Sequence, residues 1–257
     1  MWLDFVDEDD ERVAGYYQKS IEARVDAFRS LYEQKVSADE EFPVLYNILV
    51  PEVFCPSAVR VGQILDGGKW TCRPWAMPKN CAVYSLGIDN DTTFERDFQK
   101  ISGQRCRIYA YDMKRPMFPE VLEGLEKLDI HFREAKIGLR DSKVENTVSL
   151  ENEMKRHHHG QIEVLKMDIE GAEFQVLPPL VERIRICQIL IELHGLPPKV
   201  VGLLMKLGDG GYRLFSHELT GAGLSAEYSF VHEDCLQRYN ARKIGYYLDR
   251  ISEKYRQ

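Results

Sequence analysis

The stretch VLKMDIEGAEFQVL, residues 164–177, has three carboxylates within three positions of one glycine in the sequence. Asp168 ends an apolar run, Glu170 follows two positions later, and Glu173 comes just after Gly171. A carboxylate at such a place can accept a proton from a reacting hydroxyl or bind a divalent cation. Because Glu173 falls in the first turn of the next predicted helix, where an acid complements the helix dipole, we expect a structural role for it. Asp168 and Glu170 are the candidates for chemistry.

Residues of suitable type also follow the other predicted strands. In an open parallel sheet, ligands bind outside the carboxyl ends of the strands, near the point where the strand order reverses. We therefore expect a single site built from several strand ends. Its candidate cofactor-binding residues are Gly87, Asp89, Asp112, Glu134, Ala135 and Asp168, and its candidate catalytic residues are Asp168, Glu170 and His194.

The first two strand ends indicate which ligand to expect. Asp112 lies 25 positions after Gly87, close to the offset at which an acid binds ribose hydroxyls in nucleoside-binding βαβ units. The first loop has one glycine where a dinucleotide loop has three, and Asp89 and Asp91 would repel a pyrophosphate. The ammonium and sulfonium groups of S-adenosylmethionine suit these acids. The charge pattern favours a methyl donor over NAD.

The elements that position these residues alternate in type. Apolar runs predict strands at 81–88, 106–112, 129–137, 162–169 and 186–193, with helices at 92–101, 117–128, 147–159, 173–183 and 198–211. Proline should break the helix at 173–183. The last two strands, 212–219 and 226–232, are separated only by a glycine-containing turn. This order predicts an α/β fold, a doubly wound and mostly parallel sheet ending in an antiparallel hairpin.

The first 60 residues differ from the rest in pattern. Helical spacing of apolar residues within the first 40 predicts a long helix, and residues 41–80, rich in Pro, Gly and Trp, predict a short helix, a turn and a lid-like loop. We therefore divide the chain into an N-terminal helical extension, residues 1–60, and a main domain, residues 61–257.

Composition limits the partners and the compartment. The chain has 257 residues, and its net charge of −7 argues against a nucleic-acid partner. The longest apolar run, at 186–193, is too short for a membrane span, and the acidic N-terminus lacks the features of a signal peptide. We expect a cytoplasmic protein, or one from the secretory-pathway lumen if the chain belongs to a longer anchored protein.

The six cysteines form no C-x-x-C pair, so a zinc site is not expected, and we expect reduced thiols.

The sequence also resembles a known family. LKMDIEGAEFQVL is similar to the fourth-strand signature of the FkbM-type methyltransferases. Beyond it, DGGKWTC (66–72), NCAVYSLGIDNDTTFERDF (80–98), RIYAYD (107–112) and EYSFVH (227–232) resemble the methyltransferase-like protein 24 family of methyltransferase-like domains. The resemblance runs from about residue 60 to the mid-230s. It implies a class I Rossmann-like fold and S-adenosylmethionine as the cofactor, and it does not imply an acceptor.

The leading hypothesis is therefore a methyltransferase that acts on a small molecule, a glycan or a protein, with oxygen favoured over nitrogen as the accepting atom. Asp168 would orient or deprotonate the acceptor, and His194 is placed to act as a general base or to serve as a structural histidine. Asp168, Glu170 and His194 could also bind a divalent metal, which is the less favoured alternative. Two other hypotheses remain: an inactive methyltransferase-like binding module and a metal-dependent hydrolase.

Overall fold

The structure of the protein is a computed structural model that describes residues 11–64, 67–220 and 224–256. In this part of the chain the helices are α1 (Glu11–Tyr32), α2 (Glu41–Ile48), α3 (Thr93–Ile101), α4 (Pro119–Glu126), α5 (Leu150–Arg156), α6 (Glu173–Val181), α7 (Pro197–Asp209), α8 (Leu236–Tyr239) and α9 (Leu248–Ile251). The strands are β1 (Val53–Phe54), β2 (Ala58–Val61), β3 (Lys69–Cys72), β4 (Cys81–Leu86), β5 (Cys106–Asp112), β6 (Ile130–Glu134), β7 (Lys136–Gly138), β8 (Thr147–Ser149), β9 (Ile162–Met167), β10 (Ile186–Leu193), β11 (Tyr212–Thr220), β12 (Ser225–His232) and β13 (Arg242–Lys243).

A seven-stranded sheet in the order β11-β12-β10-β9-β4-β5-β6 forms the centre of the fold. Strands β10, β9, β4, β5 and β6 are parallel, whereas β12 runs antiparallel to both β10 and β11. The strand order reverses between β4 and β9. Strands β5 and β6 follow β4 on one side, and the chain then returns to place β9 and β10 on the other side of β4. The predicted α/β fold with a C-terminal antiparallel hairpin is confirmed. Part of the predicted hairpin turn, residues 221–223, lies outside the described residues.

Both faces of this sheet are covered, which explains the continuous apolar runs of its strands. On one face, helices α1, α2, α5, α6, α7 and α9 contribute to a core that includes Phe28 and Leu204. On the other face, α3, α4, α8 and the short strands β1 to β3 form a second core around Phe94 and Phe98. Every residue of β10 is buried, because this strand contributes to both cores.

The segment predicted as a lid-like loop is a β-hairpin, so that prediction is wrong. Strands β2 and β3 pair antiparallel, and β3 packs on β10 and β12 of the central sheet. The amide side chain of Gln188 in β10 donates to the backbone oxygen of Cys72 and accepts from its backbone N–H, each at 2.9 Å. The long N-terminal helix is confirmed as α1, which packs against α7 and α9. The proposed division after residue 60 stays a prediction, and β2 runs across it.

The expectation of reduced thiols is wrong, because the structure joins the six cysteines in three disulfides. They are Cys55–Cys72, Cys81–Cys106 and Cys187–Cys235, with Cα–Cα distances of 5.8, 4.3 and 5.6 Å. Cys81 and Cys106 begin neighbouring parallel strands and are direct partners in the register of β4 and β5. Only the pairing of strands far apart in sequence reveals this proximity.

Three predicted elements differ in detail. The helix predicted at 147–159 begins at Leu150, because residues 147–149 form β8 and the Ser149 hydroxyl then caps the helix by accepting from the Asn152 N–H at 3.4 Å. The strand predicted at 129–137 ends at Glu134. Helix α6 continues through its two prolines to Val181 instead of breaking there. Within the described residues, no helix combines the length and the apolar character needed to cross a membrane.

Candidate functional site

The ends of β4 and β9 meet at the point where the strand order reverses, and Gly87 allows this contact. Gly87 has a φ of +80°, and a Cβ atom at this position would lie 1.7 Å from the backbone oxygen of Asp168. The Asp168 N–H donates to the Leu86 oxygen at 2.8 Å, which holds the two strand ends together. A glycine is therefore required here both by the backbone conformation and by the space.

A cavity of about 430 Å³ opens at this edge of the sheet. Its volume lies in the range of small-molecule sites. The sequence-predicted residues that line it are Gly87, Asp89, Asp112, Ala135, Asp168, Glu170 and His194. Glu134 ends β6 with an exposed side chain and does not belong to the described cavity wall.

The carboxylate of Asp112 organises the loop that follows β4. Its Oδ2 accepts hydrogen bonds from the backbone N–H groups of Ile88 at 2.9 Å and Asp89 at 2.8 Å. Its Oδ1 accepts one from the N–H of Lys114 at 2.9 Å. A carboxylate oxygen can accept two hydrogen bonds, so Oδ1 keeps the capacity to bind a ligand hydroxyl.

The two acids of the first loop have different surroundings. Asp89 is exposed at the cavity wall and adopts a φ of +41°, a conformation that Asp tolerates better than most residues. Asp91 accepts hydrogen bonds from the Thr93 N–H at 2.8 Å and from its hydroxyl at 3.0 Å, and so stabilises the start of α3. The Asp89 carboxylate therefore accepts fewer hydrogen bonds from the protein than the Asp91 carboxylate does.

Asp168 lies directly after β9 and has a partly exposed side chain at the cavity wall. The ammonium group of Lys69 is 3.7 Å from its Oδ2 and also forms a salt bridge with the buried Glu227. Burial alone would lower the pKa of Lys69, but the carboxylates of Glu227 and Asp168 raise it above its ordinary value. The lysine is therefore a buried cation next to the proposed reacting carboxylate.

The chain turns sharply after Asp168, which separates the roles of the next two acids. Glu170 has a φ of +54° and a side chain that is 74% exposed, so it lies at the rim of the cavity. Glu173 is fully buried, and its Oε1 accepts a hydrogen bond from the Ile169 N–H at 2.8 Å. The structural role predicted for Glu173 agrees with this bond across the turn.

His194 follows β10 and faces three glutamates. Its ring nitrogens lie 3.5 Å from Glu192, 3.7 Å from Glu173 and 3.8 Å from Glu170. The Glu173 carboxylate is the largest of the effects that raise the pKa of His194 to about 9, against the opposing effect of burial. The imidazole is therefore mostly protonated at neutral pH, the state that donates a proton or a hydrogen bond.

One group of described side chains brings metal-binding atoms together. Ligand atoms of Asp168, Glu192 and His194 all lie within 4.8 Å of one another. Glu192 stands in this group where Glu170 was predicted as a metal ligand. Strand β9 ends at Met167, so the alternation of side chains does not continue to residue 170. Glu192 is also held by the Thr220 hydroxyl, which donates to its Oε1 at 2.9 Å.

Sequence reasoning missed three buried charged residues at the site: Lys69, Lys166 and Glu227. The Lys166 ammonium donates to the backbone oxygen of Gly87 and lines the floor of the cavity. A lysine inside the apolar strand VLKMDI was a usable signal for this residue. Lys69 and Glu227 gave no comparable signal, since their pairing joins residues far apart in sequence.

The sequence matches a family described as "Methyltransferase domain" over residues 19–233. A human relative, "Probable methyltransferase-like protein 24", is 30% identical over 181 residues, which cover 62% of this chain and 48% of the relative. The chain thus spans about half the length of that protein.

Two solved structures resemble the fold. A fibrillarin from Aeropyrum pernix with natively bound S-adenosyl-L-methionine has a TM-score of 0.40 at 15% identity, covering 69% of this chain and 84% of the other. A putative ribosomal RNA methyltransferase from Plasmodium falciparum has a TM-score of 0.41 at 11% identity, covering 60% of this chain and 86% of the other. The family match extends over most of the central sheet and the cavity, and the chain belongs to the family of methyltransferase domains.

Proposed function

We propose that the cavity binds S-adenosylmethionine and that the protein transfers its methyl group to an oxygen atom of an acceptor, with nitrogen as the second choice. The observation that carries this proposal is the contact between the ends of β4 and β9 at Gly87. At this contact Gly87 and Asp168 line the cavity at the point of strand reversal, where nucleoside ligands bind in this type of sheet, and we call this part of the wall the cradle. Asp112 also lines the cavity.

The adenosine half of the cofactor would lie over the end of β5. Oδ1 of Asp112 has capacity for a ribose hydroxyl beyond its bond to Lys114. Met113, Ala135 and Ile137 offer apolar surface for the adenine ring. Glu134 is not assigned to the adenosine half, because its side chain is exposed and does not line the described cavity.

The methionine half would lie near the loop that follows β4. Asp89 offers a carboxylate to the ammonium group, and the buried Lys166 at the floor offers a cation to the carboxylate. This arrangement of charges fits an amino acid better than a pyrophosphate, since a pyrophosphate would meet the acids of this loop. When bound, S-adenosylmethionine supplies an electrophilic methyl carbon attached to a sulfonium.

The acceptor would approach past the ends of β9 and β10. We assign to Asp168 the role of orienting the acceptor hydroxyl and taking its proton as the new oxygen–carbon bond forms and the carbon–sulfur bond breaks. The protonated His194 would stabilise the negative side chains around it and donate a hydrogen bond to the acceptor. A phosphate would be repelled by the carboxylates of Asp168, Glu170 and Glu192. This side of the cavity therefore favours a neutral or cationic acceptor from a small molecule, a glycan or a protein.

Transfer of a labelled methyl group tests the proposal. The protein would be incubated with S-adenosylmethionine tritiated in its methyl group and with a panel of alcohols, phenols, glycans and secreted proteins. We expect label in one class of acceptor, and a rate lower by about 100-fold or more for Asp168→Asn. A full rate with Asp168→Asn would show that Asp168 is not the base. Cofactor binding without transfer to any acceptor would favour the inactive binding module.

We also propose that the protein acts in an oxidising compartment, such as the secretory-pathway lumen. Three disulfides use all six cysteines, and such bonds are rare in the cytosol. Protein from its natural source, denatured without reductant in the presence of an alkylating reagent, should gain no alkyl groups by mass spectrometry. Six alkyl groups would place the protein in a reducing compartment.

A further inference from the structure

Three glutamates stand side by side across the antiparallel part of the sheet. Glu192 in β10 is directly opposite Glu227 in β12, and Glu227 is directly opposite Glu218 in β11. Directly opposed side chains lie on the same face of a sheet, and like charges in this arrangement are destabilising. A row of carboxylates at this position therefore needs cations.

The β2–β3 hairpin supplies cations to two of these glutamates. The Arg60 guanidinium donates to Glu218 through Nε at 2.8 Å, and the Trp70 indole N–H donates to the same carboxylate oxygen at 3.0 Å. Lys69, next to Trp70, forms a salt bridge with Glu227. Both members of the latter pair are nearly inaccessible, with exposed side-chain fractions of 1% and 2%.

Lys69 reaches beyond its partner in the row. Its ammonium group lies 3.7 Å from Oδ2 of Asp168, which belongs to the loop after β9 and lines the cavity. An ammonium group has three N–H donors, so it can bind Glu227 and Asp168 together. The hairpin thus connects a buried carboxylate to the carboxylate proposed to face the acceptor.

We propose that Lys69 is a positioning residue that takes the place of a divalent cation at this site: anchored by Glu227, it holds the carboxylate of Asp168 at the acceptor side of the cavity and balances its charge. This inference rests on the proposed function. The atoms of Asp168, Glu192 and His194 lie close enough to hold a metal, but a cation bound there would share Asp168 with the ammonium group and be repelled by it. The transfer therefore runs without a divalent metal.

Manganese binding tests this inference without knowledge of the acceptor. Carboxylate and imidazole ligands suit Mn²⁺, and electron paramagnetic resonance measures the free ion in solution. We expect no binding of millimolar Mn²⁺ to the site in the wild-type protein. In Lys69→Met, the uncompensated carboxylates should raise the affinity at least about tenfold, and adding Asp168→Asn should remove the gain. Lys69→Gln gives a second, more polar variant in case the methionine variant fails to fold.

The matched control breaks a buried ion pair at the opposite end of β9. Arg238 binds Glu163, which is 1% exposed, so Arg238→Met leaves a buried carboxylate without its cation but far from the cavity. We expect this variant to leave the affinities for Mn²⁺ and for S-adenosylmethionine unchanged. Lys69→Met should also keep its affinity for S-adenosylmethionine within about threefold, since Lys69 does not line the described cavity wall.

Two results would overturn the inference. One is Mn²⁺ binding by the wild-type protein that Asp168→Asn abolishes, and the other is the absence of any gain in folded Lys69→Met and Lys69→Gln. Calorimetry with S-adenosylmethionine on the same samples distinguishes a failure of the proposed function from a failure of the role of Lys69. If the wild-type protein binds no cofactor, the proposed function fails; if it binds cofactor and also binds Mn²⁺ through Asp168, only the role of Lys69 fails.

Discussion

Asp112 shows how one side chain can serve both the fold and the ligand. Its two oxygens accept three backbone N–H bonds from the loops after β4 and β5, which fixes the shape of the cavity wall beside Gly87. The sequence predicted the location of this residue from its distance to Gly87. It could not predict these bonds, because the offset that suits a ribose contact also suits a carboxylate that binds the loop itself.

Replacing Asp112 by alanine removes two acceptor oxygens and leaves three backbone N–H donors without their partner. We expect Asp112→Ala to weaken S-adenosylmethionine binding at least about tenfold and to lower the free energy of unfolding by about 1–3 kcal/mol. Calorimetry and urea unfolding measure the two effects. Asp97→Ala removes a half-exposed acid of α3 and is the matched control, with no change expected in either quantity. Unchanged cofactor affinity in Asp112→Ala would show that the ribose assignment is wrong.

At the scale of elements, regular strands were predicted well and irregular segments were not. The boundaries predicted for β5 and β10 are those observed, because both strands are buried runs bounded by polar or turn-forming residues. The β2–β3 hairpin was missed because its strands are four residues long and their stability comes from packing on β10 and β12. The same long-range packing brings Lys69 to Asp168. The part of the site that depends on the hairpin was therefore outside the reach of local patterns.

The disulfide Cys55–Cys72 joins the residue that follows β1 to the last residue of β3. The double variant Cys55→Ser/Cys72→Ser should lose about 2–4 kcal/mol of unfolding free energy, since the unfolded chain regains the freedom that the crosslink removed. Urea unfolding without reductant measures this loss. A stability within about 0.5 kcal/mol of the wild type would mean that packing alone holds the hairpin.

At the scale of the whole molecule, Glu52 connects the N-terminal segment to the end of the chain. Its fully buried carboxylate accepts hydrogen bonds from the backbone N–H groups of Leu214, Tyr247 and Leu248, at 3.2, 2.7 and 2.9 Å. Its backbone N–H donates to the Leu214 oxygen at 2.7 Å. The N-terminal helical segment, β11 and the C-terminal helix α9 therefore form one unit with the central sheet.

Burial raises the pKa of Glu52 to about 7 from its ordinary value of 4.5. The folded protein thus holds a proton here that the unfolded chain has already released, so stability falls as the pH rises from the unfolded to the folded pKa. Relative to Glu52→Gln, which does not titrate, the wild type should lose roughly 3 kcal/mol of unfolding free energy between about pH 4.5 and pH 8. Urea unfolding of both proteins across this interval measures the difference. A difference that stays constant with pH would contradict the assignment.

The central claim is that the cradle at Gly87 binds S-adenosylmethionine, and calorimetric titration of this cofactor tests it most directly. The wild-type protein should bind it, and Gly87→Ala should not, because the added Cβ would lie 1.7 Å from the Asp168 backbone oxygen. Gly124→Ala, whose Cβ would meet no atom within 4 Å, should bind as the wild type does. An absence of heat from the wild-type protein at millimolar cofactor, or equal affinity in folded Gly87→Ala, would contradict the account.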